Sequence, residues 1–210
     1  MDLTPRITAL EHDPRRPSTV RLEIDGGRFG AVPQDLVSAE SLVVGRTVDA
    51  ELHQRLSTAA DAEGAYHTAL RCLERRAYAR SDLARRLQRK GHPRSAVEAA
   101  LQRAAAVGLL DDEAYVRSYV QTRAARGRGP SRLIRDLLAM GVQRTLIDRA
   151  LAAEWPEGSD RTSMPRALAV KRVSQLGGLP RQTKRRRLLA YLARRGFSGR
   201  DVTEMVEGVL

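Results

Sequence analysis

Apolar residues in the second half of this chain recur at helical spacing, and one five-position pattern occurs three times. In residues 81–101, Leu83 and Leu87 lie four apart, Gly91 follows four later, and Val97 and Leu101 complete the set. Residues 131–151 keep the same offsets with Leu133, Leu137, Gly141, Ile147 and Leu151. Residues 185–206 keep them again with Leu188, Leu192, Gly196, Val202 and Val206. Apolar residues four apart share one face of a helix. A glycine placed just beyond them can end that helix in a left-handed conformation. Each copy therefore reads as helix, stop, helix. Three copies at intervals of roughly fifty residues predict a repeat architecture, in which each unit buries its apolar face against a neighbour.

A further helix precedes each copy. Ala69, Leu73 and Ala77, with Leu70, form the predicted buried stripe of a helix starting at Ala65, with Arg71, Glu74, Arg75 and Arg76 outward. Ser81 is the expected cap of the next helix, over 82–90, and a third runs over 94–107. In the second unit Asp111 or Asp112 caps a helix carrying Tyr115, Tyr119 and Val120, which Gly127 ends. Pro130 suits the first position of its successor. Gly141 stops that helix, and Thr145 starts another that ends near Trp155. Residues 156–160 read as a loop or hinge. The last unit has helices near 164–176, 183–195 and 199–208, with Gly177, Gly178 and Pro180 as a break. The count is nine helices.

The front of the chain has a different period. Residues 19–24 alternate, with Val20, Leu22 and Ile24 on one side, as a half-buried strand does. Asp25-Gly26 is a turn dipeptide that tolerates positive φ, and residues 28–32 can pair back. Residues 4–12 could add a third strand. Pro33 ends the hairpin, residues 35–37 begin a short helical piece, and residues 49–56 read as a short helix capped by Asp49. Residues 58–64 form a polar, Ala-rich junction. The expected fold is mainly α: three tandem three-helix repeats forming an elongated curved body, preceded by a small α/β module with a β-hairpin. The expected domains are 1–60, 65–110, 111–156 and 162–210.

Charge sharpens that division. The chain carries a net charge of +12, but residues 1–64 hold seven arginines against eleven acids. Residues 65–210 hold 30 basic and 14 acidic residues. A strongly basic body implies a polyanionic partner, nucleic acid first, or an acidic protein surface. Lysine occurs only at 90, 171 and 184, so genomic composition accounts for part of the arginine preference but not for the excess positive charge. No signal-peptide run and no stretch near the roughly 20 apolar residues of a membrane span is present. Cys72 is the lone cysteine and reads as a small core residue. These features predict a cytoplasmic protein without disulfides.

Candidate chemistry is sparse. His12, His53, His67 and His92 share no metal spacing, and no Walker-type loop or GxSxG occurs. Asp111, Asp112 and Glu113 form a tight acidic group, best read as a helix start. Gly127-Arg128-Gly129, before a helix start, is weighed as a phosphate-oxygen site against a plain glycine loop. The sequence predicts neither an enzyme nor a cofactor. Outward positions vary between copies: Arg85, Arg86, Arg89 and Lys90 become Arg135, Asp136, Ala139 and Met140, then Ala190, Tyr191, Arg194 and Arg195. The alternative function is a helix-turn-helix DNA-binding transcriptional regulator. Against it, Glu98 and Asp148 would face the DNA from the reading helix. Aromatics make up only 4% of the chain, which disfavours base stacking.

Residues 108–151 resemble the RecX family of bacterial regulatory proteins. The resemblance rests on Gly108-Leu109-Leu110-Asp111-Asp112 with Tyr115, on Gly129 with Arg132-Leu133-Ile134 and Leu137, and on Gly141-Val142. Ser81, Leu83, Leu87 and Gly91, and Arg194-Arg195-Gly196-Phe197, also fit, so that it spans about residues 65–210. The front module is longer and more acidic than the family pattern. The resemblance implies a protein without catalytic residues that binds the groove of the RecA filament on single-stranded DNA. It implies restraint of the filament's ATPase, strand-exchange and co-protease activities in recombinational repair and the SOS response. A monomer contacting RecA and the backbone of single- or double-stranded DNA is expected. The candidate contacts are Arg75, Arg76, Arg85, Arg86, Arg89 and Lys90 in the first unit. Arg123, Arg126, Arg128 and Arg132 are those of the second, and Arg185, Arg186, Arg194 and Arg195 those of the third.

Overall fold

The computed structural model describes residues 4–14 and 16–210, with no side-chain placement for residue 17. These residues form two compact units. The first takes in residues up to 78 and 82–110, and the second takes in 79–81 and 111–210.

The first unit opens with a three-stranded antiparallel sheet, β1 (Ile7–Asp13), β2 (Arg16–Ile24) and β3 (Gly27–Pro33), in that order across the sheet. The alternating strand and its hairpin are present, and the segment near the start supplies the third strand. Asp25 and Gly26 both take positive φ, at 51° and 75°, as a two-residue primed turn requires. A short helix, α1 (Gln34–Ala39), follows the hairpin.

The next element departs from the expectation. A single helix, α2 (Ala50–Leu73), runs straight through residues 58–64, where a junction was expected. Alanines favour helix, and Gly64 does not suffice to break it. Asp49 caps α2 as expected, accepting from the Leu52 N–H at 2.7 Å. Leu52 and Leu56, near the start of α2, join Ile7, Leu22, Val32, Leu42 and Val48 in a core beneath the sheet. Ala65, Ala69 and Cys72, near its end, join the core of a three-helix set with α3 (Arg80–Arg89) and α4 (Arg94–Ala106). Cys72 is the small buried core residue expected. Ala77, expected in the buried stripe, is exposed and lies beyond the helix end.

Within the second unit lie α5 (Asp112–Ala124), α6 (Pro130–Ala139) and α7 (Arg144–Glu154), then α8 (Ser163–Val173), α9 (Arg181–Arg195) and α10 (Arg200–Glu207). A 3-10 turn at Ser174–Leu176 precedes the Gly177-Gly178 break. Among the described residues there are thus ten α-helices, nine of them in the three sets foreseen from the sequence. The repeated apolar positions are all buried except Leu151, which is half-buried against the same core.

The repeated glycine has a common geometry. The N–H after Gly91 donates to Leu87 O, that after Gly141 to Leu137 O, and that after Gly196 to Leu192 O, at 3.3, 3.1 and 2.9 Å. All three glycines are left-handed, with φ of 90°, 79° and 95°. This six-to-one bond fixes glycine four residues beyond the second leucine of each copy.

Two capping expectations resolve differently. Asp111 accepts from the Glu113 and Ala114 N–H groups at 2.8 and 3.0 Å and caps α5. Ser81 is not a cap, because α3 already begins at Arg80. The acceptor there is Asp112 Oδ1, 2.7 Å from the Arg80 N–H.

Candidate nucleic-acid interface

In the first unit the turn after α2 and the outer face of α3 gather cations. Arg71, Arg75, Arg86 and Lys90 line a recess of about 380 Å³ with Thr68, Cys72 and Tyr78. Tyr78 is its buried floor. The Arg76 guanidinium stacks 3.7 Å from the Tyr78 ring centroid, and Arg86 approaches the same ring at 5.9 Å. Arg76 and Arg85 both lie near Asp82, at 3.8 and 3.7 Å. Arg85 and Arg89 are on the exposed side of α3 and do not line the recess. Arg71 was counted only as outward-facing in the sequence. It lines the recess from the last turn of α2, with Arg75 in the turn that follows.

The second unit brings more together. Among the described residues, Arg123, Arg126, Arg128, Arg132, Arg194 and Arg195 line a recess of about 390 Å³. Arg123 lies at the C-terminal end of α5, Arg126 and Arg128 in the turn that follows it and Arg132 in α6. Arg194 and Arg195 close α9. Asp136 is the acid at the edge, 2.7 Å from Arg128 and 2.9 Å from Arg132. Tyr119 donates its hydroxyl to Asp136 at 3.4 Å. Burial first, and then the Asp136 carboxylate, push the Tyr119 hydroxyl above its ordinary range, so it stays a donor. Arg123 lies 5.3 Å from the Tyr119 ring centroid, and Arg195 lies 5.0 Å from that of Tyr191. Asp136 and both tyrosines were absent from the sequence-derived set, although Asp136 is i+4 from Arg132, a pairing visible in the sequence.

A backbone seam underlies this recess. Gly129 N–H donates to Arg195 O at 2.7 Å, and Ser131 N–H to Gly196 O at 3.3 Å. The N–H groups at the start of α6 are therefore occupied by protein carbonyls. This overturns the phosphate-loop alternative for Gly127-Arg128-Gly129, and the anion-binding potential lies in the side chains instead. Arg185 and Arg186 are at the other end of α9, away from Arg194 and Arg195. Arg185 is engaged by Glu207, with Arg181 beside them at 3.5 Å, while Arg186 is exposed. The two Arg contacts hold the Glu207 carboxyl below the usual carboxylate range.

The helix taken to read DNA in the alternative carries Glu98 exposed on α4, and Asp148 on α7 is engaged by Arg144 at 2.8 Å. Among the described residues no group of three His, Cys, Asp or Glu side chains is placed to hold a metal ion, and no helix is long and apolar enough to cross a membrane.

Comparison with known proteins matches these elements. Residues 65–103 match the family description "RecX, first three-helix domain", and residues 111–151 match "RecX, second three-helix domain". A "Regulatory protein RecX" of Halorhodospira halophila is 33% identical over 144 residues, covering 68% of this chain and 86% of that one. A solved structure, "Crystal structure of regulatory protein RecX", superposes with a TM-score of 0.75 at 25% identity over 97% of this chain and 99% of that one. RecX from Lactobacillus salivarius, at 20% identity, shares the fold with a TM-score of 0.60 over 71% of this chain and 96% of that one. With its repeated helix sets, its glycine stops and these relatives in agreement, the chain belongs to the RecX family of regulatory proteins.

Proposed function

We propose that this protein regulates homologous recombination by binding the RecA filament on single-stranded DNA and restraining its ATPase, strand-exchange and co-protease activities. Family membership supports the choice of partner. The observation that carries the mode of action is the convergence of six arginines from two helix sets on one recess. Guanidinium forks match carboxylate and phosphate oxygens in pairs, so such a surface suits both an acidic protein face and a nucleic-acid backbone. The protein works as a monomer built from units 65–110, 111–156 and 162–210. It shifts the filament between states by binding one better than another, without chemistry of its own.

The deciding measurement is ATP turnover by a matched RecA on single-stranded DNA. The protein slows turnover at well below one molecule per recombinase subunit. Unchanged turnover, together with selection of a short site from random duplex, would replace this function with that of a transcriptional regulator. Reversing Arg185, Arg186, Arg194 and Arg195 weakens filament binding while helicity stays intact.

A further inference from the structure

The six-arginine recess holds more positive charge than its surroundings offset. Arg128 and Arg132 share the single carboxylate of Asp136. Arg195 directs its guanidinium at the carbonyls of Arg126 and Gly127, each at 3.4 Å. Among the described residues no carboxylate pairs with Arg123, Arg126 or Arg194. Like charges this close repel, and the recess is open to an anion that would relieve them. Its lining is guanidinium throughout, so it offers phosphate-type contacts and nothing that distinguishes bases.

The recess is also composite. Four of its arginines come from α5, α6 and the turn between them, and two from the end of α9. These segments are joined by the Gly129 and Ser131 N–H bonds to Arg195 and Gly196. The site is complete only while α9 is seated against the start of α6. Whatever binds it must therefore hold the seam closed, and a closed seam must strengthen binding by the same factor.

We propose that this recess is a phosphodiester site shared by the second and third helix sets, and that an occupying single-stranded nucleic-acid backbone fastens those sets together. The choice of a strand rests on the single-stranded DNA partner proposed above. A lone phosphate brings at most about two negative charges. Six arginines and one aspartate leave the recess with an excess that successive phosphates of a strand match better. The seam thus becomes a linkage between strand binding and the docking of α9.

The test uses the full chain with a labelled oligothymidylate and no recombinase, so it is independent of any effect on ATP turnover. Amide exchange at Gly129 and Ser131 is followed as the seam opens. With the strand at a hundred times its Kd, exchange slows by about a hundredfold, the factor that mass action sets for a site absent from the open form. The variant R126E/R194E changes two exposed arginines without carboxylate partners. It loses about tenfold or more in strand affinity, and the seam protection goes with it. Its salt dependence falls by about 1.4 in log–log slope, the value for two lost single-strand contacts. The charge-matched variant R149E/K171E, outside the recess, keeps the seam protection and loses less than about threefold. Equal losses in the two variants, or strand binding that leaves the seam amides unprotected, would overturn the proposal. Inorganic phosphate alone at millimolar concentration is the second arm. If it protects the seam as well as the strand does, the recess takes free phosphate and the backbone assignment is lost.

Discussion

Gly129 and Gly196 meet backbone to backbone. A Cβ on Gly129 would stand 2.4 Å from the Gly196 carbonyl oxygen, and one on Gly196 would stand 2.4 Å from the Arg132 nitrogen. The three helix-stop glycines differ in this respect. A Cβ on Gly91 meets nothing within 4 Å, and one on Gly141 falls 2.7 Å from the Ser81 Cβ. Replacing each by alanine strains a left-handed residue by about 1 kcal/mol. The expected order of destabilisation in urea unfolding is therefore G91A, then G141A, then G196A. The last should exceed about 3 kcal/mol because backbone must move. Equal effects at all three sites would show that the seam is not closed.

Asp111 and Asp112 do separate jobs side by side. Asp111→Ala removes the cap of α5 and should cost about 1 kcal/mol. Asp112→Ala removes the acceptor of the Arg80 N–H at the start of α3, with a similar cost. Ser81→Ala should cost much less, since Ser81 caps nothing. Chemical denaturation of the three variants checks this ranking.

A buried ionic network joins α2 to α4. Glu63 is 2% exposed, 2.8 Å from both the His67 Nε2 and the Arg103 guanidinium. Desolvation holds the His67 pKa below its ordinary value against Glu63, which acts to raise it, and Arg16 and Arg103 add to the lowering. The unfolded chain therefore takes up a proton that the folded chain resists. Stability is full above the ordinary value of about 6.5 and declines as pH falls below it. Unfolding midpoints in urea at pH 7.5 and 5.5 should show this decline, and His67→Gln should flatten it. A slope that survives the substitution would assign the effect to another group.

Asp136 restrains the arginine recess. Asp136→Asn removes its acid and releases Arg128 and Arg132. Oligothymidylate should then bind more tightly, with a steeper dependence on salt, by about 0.7 in slope for each contact added. Binding unchanged or weakened in anisotropy titrations would mean that Asp136 orders these arginines for the anion rather than competing with it.

The leucines and glycines of the helix sets were legible because their spacing is dictated locally, by helical period and by one backbone bond after each stop. Leu83, Leu133 and Leu188 could be placed from sequence alone for that reason. The continuity of α2 was not legible, because residues 58–64 carry no apolar stripe and are held helical by the chain on either side. The arginines were found as separate groups. Nothing local shows that Arg126 and Arg194 share a recess, since that follows from the Gly129–Gly196 approach across the fold. Glu63–His67 is an i,i+4 pair visible in the sequence, but the burial that gives it meaning is tertiary.

The 24-residue α2 is about 36 Å long at helical rise. Its first half serves the sheet and its second half the basic helices. Trimming the chain at residue 64 would therefore saw through a girder rather than cut a tether, and should leave a stump that frays. Conversely, Arg71 and the helical cover of the sheet ride on one rod, so loosening either end should be felt at the other.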